Sequence, residues 1–343
     1  MSKDYTVAVV GLGYFAQFHL AAWASQPGAR LVAVCDRDAE KVAEASGTYG
    51  VQGYAQIADL LAEHDPDIID IVTPPFAHDM LVRASLKAGR VIVCQKPFCD
   101  DTETAQTLAE DAKTVGARVL IHENFRFQPW HRAIKTFLDS GRMGAVWSAR
   151  FALRPGDGRG PEAYLDRQPI FQTMPRLMIH EVAVHFIDLF RWLFGPVEGV
   201  YADIRKLNPV IAGEDESVLL FDHAGGTRTV FDGNRLSDNG SDNPRYTMGD
   251  FSIEGEGGQL TLSPKGEVHF RPFGTDQLEQ VPVTEPMDPV AFGGGCVPAV
   301  IRHVVEAMDG ARPFENEAED YMRVMEIRDA AYLSAEEARR VTL

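Results

Sequence analysis

A polar stripe on an otherwise apolar segment is the first candidate for chemistry. In the stretch RLMIHEVAVHFIDLFRWLF, α-helical spacing places four side chains on one face: Glu181, His185, Asp188 and Trp192. A helix this apolar is expected to be buried, and buried charged groups need partners or a water-filled cavity. Histidine, with a usual pKa of about 6.5, accepts a proton near neutrality more readily than lysine at about 10.4. The stripe predicts His185 as a general base whose ring Asp188 orients; the alternative is a core histidine satisfied by Asp188.

The same segment raises the question of a metal site. The sequence HEVAVH resembles the zinc-protease pattern, which places two histidines four residues apart on one helix face. His180 and His185 are five residues apart, or roughly 140° around an α-helix. We therefore predict no metal, and we expect His180 to pack, with contact to a substrate as the alternative.

A lysine at the end of an apolar run is the second candidate. Residues 91–93 are typical of a strand interior, and Gln95, Lys96 and Pro97 follow without a turn glycine. A proline in this place fixes the turn and removes a backbone donor. We predict that Lys96 points into a ligand site; taken alone, a lysine whose stem lies along apolar surface would be the simpler interpretation.

A glycine-rich turn follows the first predicted strand, in VAVVGLGYFAQFH. Gly11 suits a tight turn, Gly13 lets the backbone approach a pyrophosphate, and the small Ala16 lets the next helix pack closely. Asp36 ends the second predicted strand about 20 residues later, where a carboxylate can accept both ribose hydroxyls of NAD. The combination predicts an NAD site, whereas a structural turn with a solvated acid is the alternative.

The neighbours of this turn complete the predicted cofactor site. Arg37 is able to tolerate the additional phosphate of NADP, so NADP is an alternative to NAD. In sheets of this kind, ligands lie beyond the carboxyl ends of the strands. The other residues predicted to bind the cofactor lie in the turn or after strand ends: Tyr14, Phe15, Thr73, Pro74, His78, Gln95, Lys96, Pro97 and Asn124. For Thr73, Pro74 and His78 the alternative is a structural role in the turn and the helix N-terminus, and for Asn124 it is a bracing role at the domain junction.

These residues require a particular order of elements to bring them together. Up to about residue 121, apolar strand-like runs alternate with helix-like stretches, one of them predicted over 78–89 with Gly89 at its end. Such alternation predicts a parallel sheet covered on both faces. After residue 122, strand-like runs follow one another across turn residues, which predicts an antiparallel sheet. Helices are predicted near 130–140, 298–309 and 317–339.

Length and composition limit the class of protein. The 343 residues suit two domains, predicted at 1–121 for the nucleotide and 122–343 for substrate and oligomerisation, with the last helices able to pack on the first domain. The net charge of −17 argues against nucleic-acid and membrane partners, which need basic patches. The four cysteines show no CxxC or zinc spacing, and the first residues carry no signal-peptide pattern, so a cytoplasmic location is expected.

Several motifs, in this order, resemble the glucose–fructose oxidoreductase / inositol dehydrogenase (Gfo/Idh/MocA) family: GLGYFAQFH, VTPPFAH, QKP, NFRFQP and HFIDLFRWLFG. The resemblance implies an α/β fold, with an N-terminal Rossmann domain and a C-terminal α/β domain on a large open, mostly antiparallel sheet. It implies that His185 is the catalytic histidine, with Glu181 where an aspartate is usual. The family's lysine lies in a Glu-Lys-Pro motif that contacts nicotinamide and substrate; Lys96 and Pro97 match it, and Gln95 does not.

The departure at Gln95 has two interpretations. A glutamate beside Lys96 would favour the charged ammonium, and a neutral glutamine withdraws that help. Alternatively, adjacent side chains at a strand end point to opposite faces, and Gln95 then serves a hydrogen bond elsewhere.

The resemblance implies an NAD(P)-dependent oxidoreductase that transfers a hydride between nicotinamide and a hydroxyl carbon of a sugar, polyol or related hydroxy compound. Two alternatives are an NAD-using enzyme of the same family that cleaves glycosides, and a non-enzymatic NAD-binding regulator on this fold. An open sheet face of the expected size predicts burial against another subunit, hence a homodimer or homotetramer.

Overall fold

The computed structural model describes residues 4–343 of the chain. The chain forms two compact units. The first combines the residues up to Glu123 with Val297–Arg323, and the second combines Asn124–Cys296 with Val324–Leu343. Each unit therefore contains a segment from the end of the chain.

The first unit contains a parallel sheet of six strands in the order β3-β2-β1-β4-β5-β6. Its strands are β1 (Tyr5–Val10), β2 (Ala29–Cys35), β3 (Gln52–Tyr54), β4 (Ile68–Ile71), β5 (Val91–Cys94) and β6 (Arg118–Ile121). The helices between them are α1 (Ala16–Ser25), α2 (Ala39–Tyr49), α3 (Ile57–His64), α4 (His78–Ser85) and α5 (Thr102–Val115). Strands β4 and β5 are buried along their whole length, as expected for a sheet covered on both faces. The predicted Rossmann fold is confirmed.

Local sequence chemistry accounts for most of these boundaries. The carboxylates of Asp38 and Asp101 accept backbone N–H groups at the first turns of α2 and α5, and Gly50 and Gly116 end the two helices in the left-handed conformation. The prediction that one helix extends over 78–89 is wrong: α4 ends at Ser85, because Leu86 is already extended. The pattern also gave no sign of β3 and α3.

The second unit is built on a sheet of nine strands in the order β14-β13-β12-β11-β7-β10-β9-β8-β15. Its strands are β7 (Val146–Leu153), β8 (Val197–Arg205), β9 (Glu216–His223), β10 (Arg228–Asn234), β11 (Gly249–Gly255), β12 (Gly258–Leu262), β13 (Val268–Pro272), β14 (Glu279–Val281) and β15 (Val341–Thr342). Strands β7 and β10 run parallel, whereas the other pairs are antiparallel. The predicted large, mostly antiparallel sheet is confirmed.

One face of this sheet carries the core of the second unit. Helices α6 (Pro129–Asp139) and α7 (Val184–Phe194) belong to this unit, and Phe186 of α7 packs on Phe151 and Phe231 of the sheet with ring centroids 4.3 and 4.7 Å apart. The strands show buried residues alternating with exposed or half-buried ones, so the opposite face meets solvent. Removal of one buried phenylalanine ring of this kind costs about 3–5 kcal/mol.

Two helices near the end of the chain complete the units. Helix α8 (Cys296–Met308), apart from its first residue, and the start of α9 (Ala318–Glu337) belong to the first unit, and the remainder of α9 belongs to the second. The N–H of Ile121 in β6 donates to the carbonyl of Asn316, 2.8 Å away, and so joins this late segment to the parallel sheet. Among residues 4–343, no helix has the length and apolar character needed to cross a membrane.

Candidate active site

The glycine turn between β1 and α1 has the geometry that a pyrophosphate requires. Gly11 has φ +95°, and a Cβ there would lie 2.6 Å from the carbonyl oxygen of Val72, so only glycine fits. A Cβ on Gly13 would meet nothing within 4 Å, so the backbone is open to a ligand here. The N–H of Ala16 donates to the carbonyl of Gly13 at 3.0 Å and begins α1, whose first N–H groups favour an anion.

Asp36 is held against this turn. Its Oδ2 accepts the N–H of Leu12 at 2.6 Å, and its Oδ1 accepts the N–H of Asp38 at 2.9 Å. A carboxylate oxygen has two lone pairs, so each oxygen can accept a further donor such as a ribose hydroxyl. Arg37, next to it, is exposed. The residues present fit the nucleotide half of NAD.

The segment after β4 also offers a ligand contact. Thr73 follows the strand, and its buried hydroxyl oxygen has no hydrogen-bond partner within residues 4–343. A buried polar atom of this kind is normally satisfied, so a donor or acceptor from a ligand would complete it. Pro74 is exposed beside it.

The contacts of His78 support its structural alternative. Its ring is fully buried, with Nε2 2.8 Å from the carbonyl oxygen of Thr73 and Nδ1 2.9 Å from that of Phe98. Burial lowers the pKa of His78, against the opposing effect of these carbonyls. The ring therefore links the Thr73 segment to the segment after Pro97, which is a supporting position.

Lys96 and Gln95 are adjacent in sequence, but their side chains have different surroundings. Lys96 is half-buried, and it is followed by a cis peptide bond to the buried Pro97. The side chain of Gln95 is buried, and its Nε2 lies 2.8 Å from Nε2 of His19. This hydrogen bond supports the second interpretation of Gln95, and its contact with the cofactor stays a prediction.

The other nitrogen of the His19 ring contacts a buried carboxylate that was not predicted from the sequence. Nδ1 of His19 lies 2.7 Å from Oδ2 of Asp70, and Nε1 of Trp23 donates to the same oxygen at 2.6 Å. Asp70 lies in the middle of β4, in the run IIDI, and is completely buried. The sequence did contain a signal for this site: an acid lies inside a strand that is covered on both faces. Such a group needs hydrogen-bond donors that are themselves buried.

In the second unit, the ring of His185 is held by stacking. Phe125 lies parallel to it, with ring centroids 4.0 Å apart and an interplanar angle of 4°. Phe125 is itself fixed, because its carbonyl oxygen lies 2.8 Å from Nδ1 of His131. Complete burial lowers the pKa of His131 to about 4, so this ring is neutral and donates from Nδ1. Phe125 is a residue of the NFRFQP motif whose role was not predicted.

The start of the polar stripe is not α-helical. Met178–Ala183 forms a π-helical turn, and the α-helix α7 begins at Val184. The first N–H groups of the turn have partners remote in sequence: Ile179 donates to Glu214 at 3.0 Å, and His180 donates to the hydroxyl oxygen of Tyr332 at 3.2 Å. The hydroxyl of Tyr332 donates to Glu214 at 2.6 Å, and burial together with this carboxylate raises the pKa of Tyr332.

The π-helical turn corrects two arguments based on α-helical spacing. The common face predicted for Glu181 and His185, and the 140° between His180 and His185, assumed 3.6 residues per turn, whereas a π-turn is wider. Nδ1 of His180 lies 3.3 Å from Nη1 of the buried Arg328, so it accepts from the guanidinium. Within residues 4–343, no three potential ligand side chains are grouped closely enough to hold a metal ion.

Asp188 is engaged by an arginine. Its Oδ2 accepts from Nε of Arg126 at 2.8 Å, and its Oδ1 accepts from Nη2 of the same guanidinium; both groups are buried. This pair joins α7 to the Phe125–Phe127 turn, and the role of Asp188 in orienting His185 stays a prediction. Trp192 is the last member of the stripe. The guanidinium carbon of Arg132 lies 4.8 Å from the centroid of the Trp192 ring, so this tryptophan packs against an arginine.

The remaining predicted residues lie where their motifs suggest. Tyr14 and Phe15 are half-buried in the glycine turn, and Glu181 is half-buried in the π-helical turn. Asn124 is buried at the start of the second unit, and its Oδ1 has no hydrogen-bond partner in the described part of the chain. Asn124 therefore has an acceptor available for a ligand.

Comparisons with known proteins agree with this geometry. Residues 5–123 match an oxidoreductase family with an NAD-binding Rossmann fold, and residues 131–261 match the GFO/IDH/MocA C-terminal domain. The D-apiose dehydrogenase of Paraburkholderia graminis is 29% identical over 99% of this chain and 90% of that protein. The D-apiose dehydrogenase of Rhizobium rhizogenes is 30% identical over 75% of this chain and 72% of that protein.

A crystal structure is also similar over the whole length. It is that of an oxidoreductase from Agrobacterium radiobacter in complex with NAD+, L-tartaric acid and magnesium. Its TM-score is 0.90 at 25% identity, and the match covers 99% of this chain and 98% of that one.

Proposed function

Because this chain belongs to the Gfo/Idh/MocA family of oxidoreductases, we propose that it oxidises a hydroxyl group of a small sugar or a related polyhydroxy compound with NAD. The observation that carries the proposal is the glycine turn with Asp36 hydrogen-bonded to Leu12. The turn provides open backbone at Gly13 for phosphates, and the carboxylate provides acceptors for ribose hydroxyls.

The roles of the residues follow from their chemistry. When bound, NAD supplies the carbon that accepts the hydride. His185 removes the proton of the substrate hydroxyl, and its stacking on Phe125 at 4.0 Å keeps the ring in one plane. Lys96 donates a hydrogen bond to the substrate oxygen and stabilises the charge that develops there. Glu181 contacts further hydroxyl groups of the substrate, and the Arg126–Asp188 pair positions the helix that carries His185.

We assign the two functions to separate units. The first unit binds the nucleotide, and the second unit provides the base and the surface for association. A sugar, polyol or small hydroxy acid is supported as the substrate class by the names of the relatives, among them two D-apiose dehydrogenases, an inositol 2-dehydrogenase and a protein crystallised with L-tartaric acid. A cytoplasmic location fits the four buried free cysteines.

A panel of substrates tests the proposal. The protein is incubated with aldoses including D-apiose, with polyols, with hydroxy acids including L-tartrate and with glycosides, each with NAD and with NADP; reduced nicotinamide is followed by absorbance, and release of sugar from the glycosides is followed by chromatography. We expect steady reduction of NAD with at least one member. Cleavage of a glycoside without net reduction would favour the glycosidase alternative, and binding of NAD without turnover of any compound would favour a regulator.

A further inference from the structure

A buried chain of hydrogen bonds joins the helix after the glycine turn to the segment that carries Lys96. The ring of His19 lies between Oδ2 of Asp70, 2.7 Å from its Nδ1, and Nε2 of Gln95, 2.8 Å from its Nε2. His19 and Asp70 are 0% exposed and Gln95 is 7% exposed. Buried polar groups are normally matched donor to acceptor, so the partners of the ring determine where its proton lies. Oδ1 of Asp70, which does not contact the ring, has no hydrogen-bond partner within residues 4–343.

The strand register explains why these residues meet. Asp70 in β4 pairs with Val93 in β5, and Gln95 follows Val93 by two residues, so the side chains of Asp70 and Gln95 leave the same face of the sheet. Helix α1 covers this face with His19 and Trp23, which are one turn apart. The N–H of Gln95 still bonds to the carbonyl of Ile71 at 3.0 Å, so the ladder continues up to the lysine.

The identity of each donor fixes the state of the imidazole. The indole N–H of Trp23 only donates, and it uses Oδ2 of Asp70, which must therefore be an acceptor. The amide nitrogen of Gln95 also only donates, so Nε2 of His19 accepts and carries no proton. The single ring proton is then on Nδ1 and is donated to Asp70, which leaves His19 neutral.

We propose that Gln95 is a positioning residue, whose amide holds His19 in the neutral, Nδ1-protonated form and thereby fixes the Lys96 segment to α1. An ionised glutamate at this position would present only acceptors to Nε2. Because a carboxyl group, with a usual pKa of about 4.3, is a stronger acid than an imidazolium at about 6.5, the additional proton should lie on the ring, as an imidazolium between two carboxylates. The consequence for turnover rests on the role proposed for Lys96, whereas the state of the ring does not.

The state of the ring is measured by NMR on protein labelled with 15N in its histidines. His19→Gln identifies the signals of His19. In the wild type at neutral pH we expect Nδ1 protonated and Nε2 unprotonated, and in Gln95→Glu we expect both nitrogens protonated. A doubly protonated or Nε2-protonated His19 in the wild type, or an identical spectrum in Gln95→Glu, would overturn the proposal.

Kinetics on Gln95→Met test the positioning role, because methionine has a similar volume but no donor. We expect turnover to fall about tenfold or more, since small misplacements of a catalytic group have large effects, while the Kd for NAD changes less than about threefold. Ser85→Ala is the matched control: it removes a buried hydrogen bond of α4, from the Ser85 hydroxyl to Leu81 at 2.7 Å, and should leave turnover within about twofold.

The outcomes separate this inference from the proposed function. Wild-type turnover in Gln95→Met would show that Gln95 does not position the lysine. Unchanged turnover in Lys96→Ala, with the expected ring states in the wild type and Gln95→Glu, would instead remove the role of Lys96 and leave the buried chain intact. Should Gln95→Glu not fold, the wild-type spectrum alone still decides whether His19 is neutral.

Discussion

His185 and Lys96 differ in burial. His185 is buried and stacked with an interplanar angle of 4° on Phe125, which keeps the ring in one orientation, as a proton acceptor requires. Lys96 is half-buried.

Removal of either group should abolish most of the activity. We expect Lys96→Ala and His185→Ala each to lower turnover by about a hundredfold or more, because each removes an interaction made as the proton and the hydride leave. Titration calorimetry should still detect NAD binding to both variants. The controls are Lys87→Ala, an exposed lysine paired with Asp65, and His269→Ala on β13. Near-normal turnover in a site variant would remove that residue from the mechanism.

Asp36 should determine the choice of cofactor. Its carboxylate lies against the Leu12 N–H and would repel the 2′-phosphate of NADP, so the wild type should bind NAD at least about tenfold better than NADP, or about 1.4 kcal/mol. Asp36→Ala should reduce or reverse this preference in calorimetric titrations with both cofactors. Asp59→Ala, which removes an exposed carboxylate of α3, should not. Equal affinities in the wild type would indicate that Arg37 accommodates the phosphate.

Residues that belong to a motif of known spacing were predictable from the sequence. Gly11, Gly13 and Asp36 each follow the end of a predicted strand at the spacing of a dinucleotide-binding motif, although the contact from Asp36 to Leu12 joins residues 24 apart. His78 and Gln95 were placed with the cofactor because they follow strand ends, yet their partners are the carbonyl oxygen of Phe98 and the ring of His19. Those partners are separated from them in sequence, and periodicity gives no information about them.

The segment that carries His185 shows the same limit for a helix. Its apolar character predicted burial, which α7 confirms, but the π-helical turn Met178–Ala183 was not predicted. The turn begins where Glu214 and Tyr332 accept its first N–H groups. Since these acceptors come from other parts of the chain, local sequence cannot distinguish this turn from α-helix.

The Arg126–Asp188 pair should stabilise the second unit as a pair and not as two separate charges. Asp188→Leu or Arg126→Leu alone leaves a buried charge without its partner and should lower the free energy of unfolding by about 3–5 kcal/mol. The double variant should recover a large part of this loss, which a double-mutant cycle from urea unfolding measures. A double variant as unstable as the sum of the two single variants would show that the two side chains act independently.

The order of strands and helices was sufficient to predict both sheets, because alternation with helices indicated the parallel sheet and consecutive strands indicated the antiparallel one. The parallel pairing of β7 with β10 was not predictable, since these strands are separated in sequence by α7 and two further strands. The assignment of Val297–Arg323 to the first unit likewise depends on tertiary contacts, such as the bond from Ile121 to Asn316.

The solvent-facing side of the nine-stranded sheet should mediate self-association. Tyr201, Leu220 and Val230 are cross-strand neighbours on this face, and Tyr201 is 41% exposed. We expect a homodimer or homotetramer by light scattering after size exclusion, and Leu220→Glu should shift it towards the monomer because an unpaired carboxylate would be buried. Gln106→Glu on the exposed surface of α5 is the control. A monomeric wild type would contradict this prediction.

The division of the first unit between two distant segments has a consequence for its biosynthesis. The chain up to Glu123 leaves the ribosome without Asn316, whose side-chain amide donates to the carbonyl of Glu123 at 2.7 Å. At 5–20 residues per second, on the order of ten seconds or more pass before that segment is translated. During this interval the edge of β6 offers unpaired backbone groups, which are a template for incorrect pairing. The nucleotide-binding unit is therefore synthesised first and completed last.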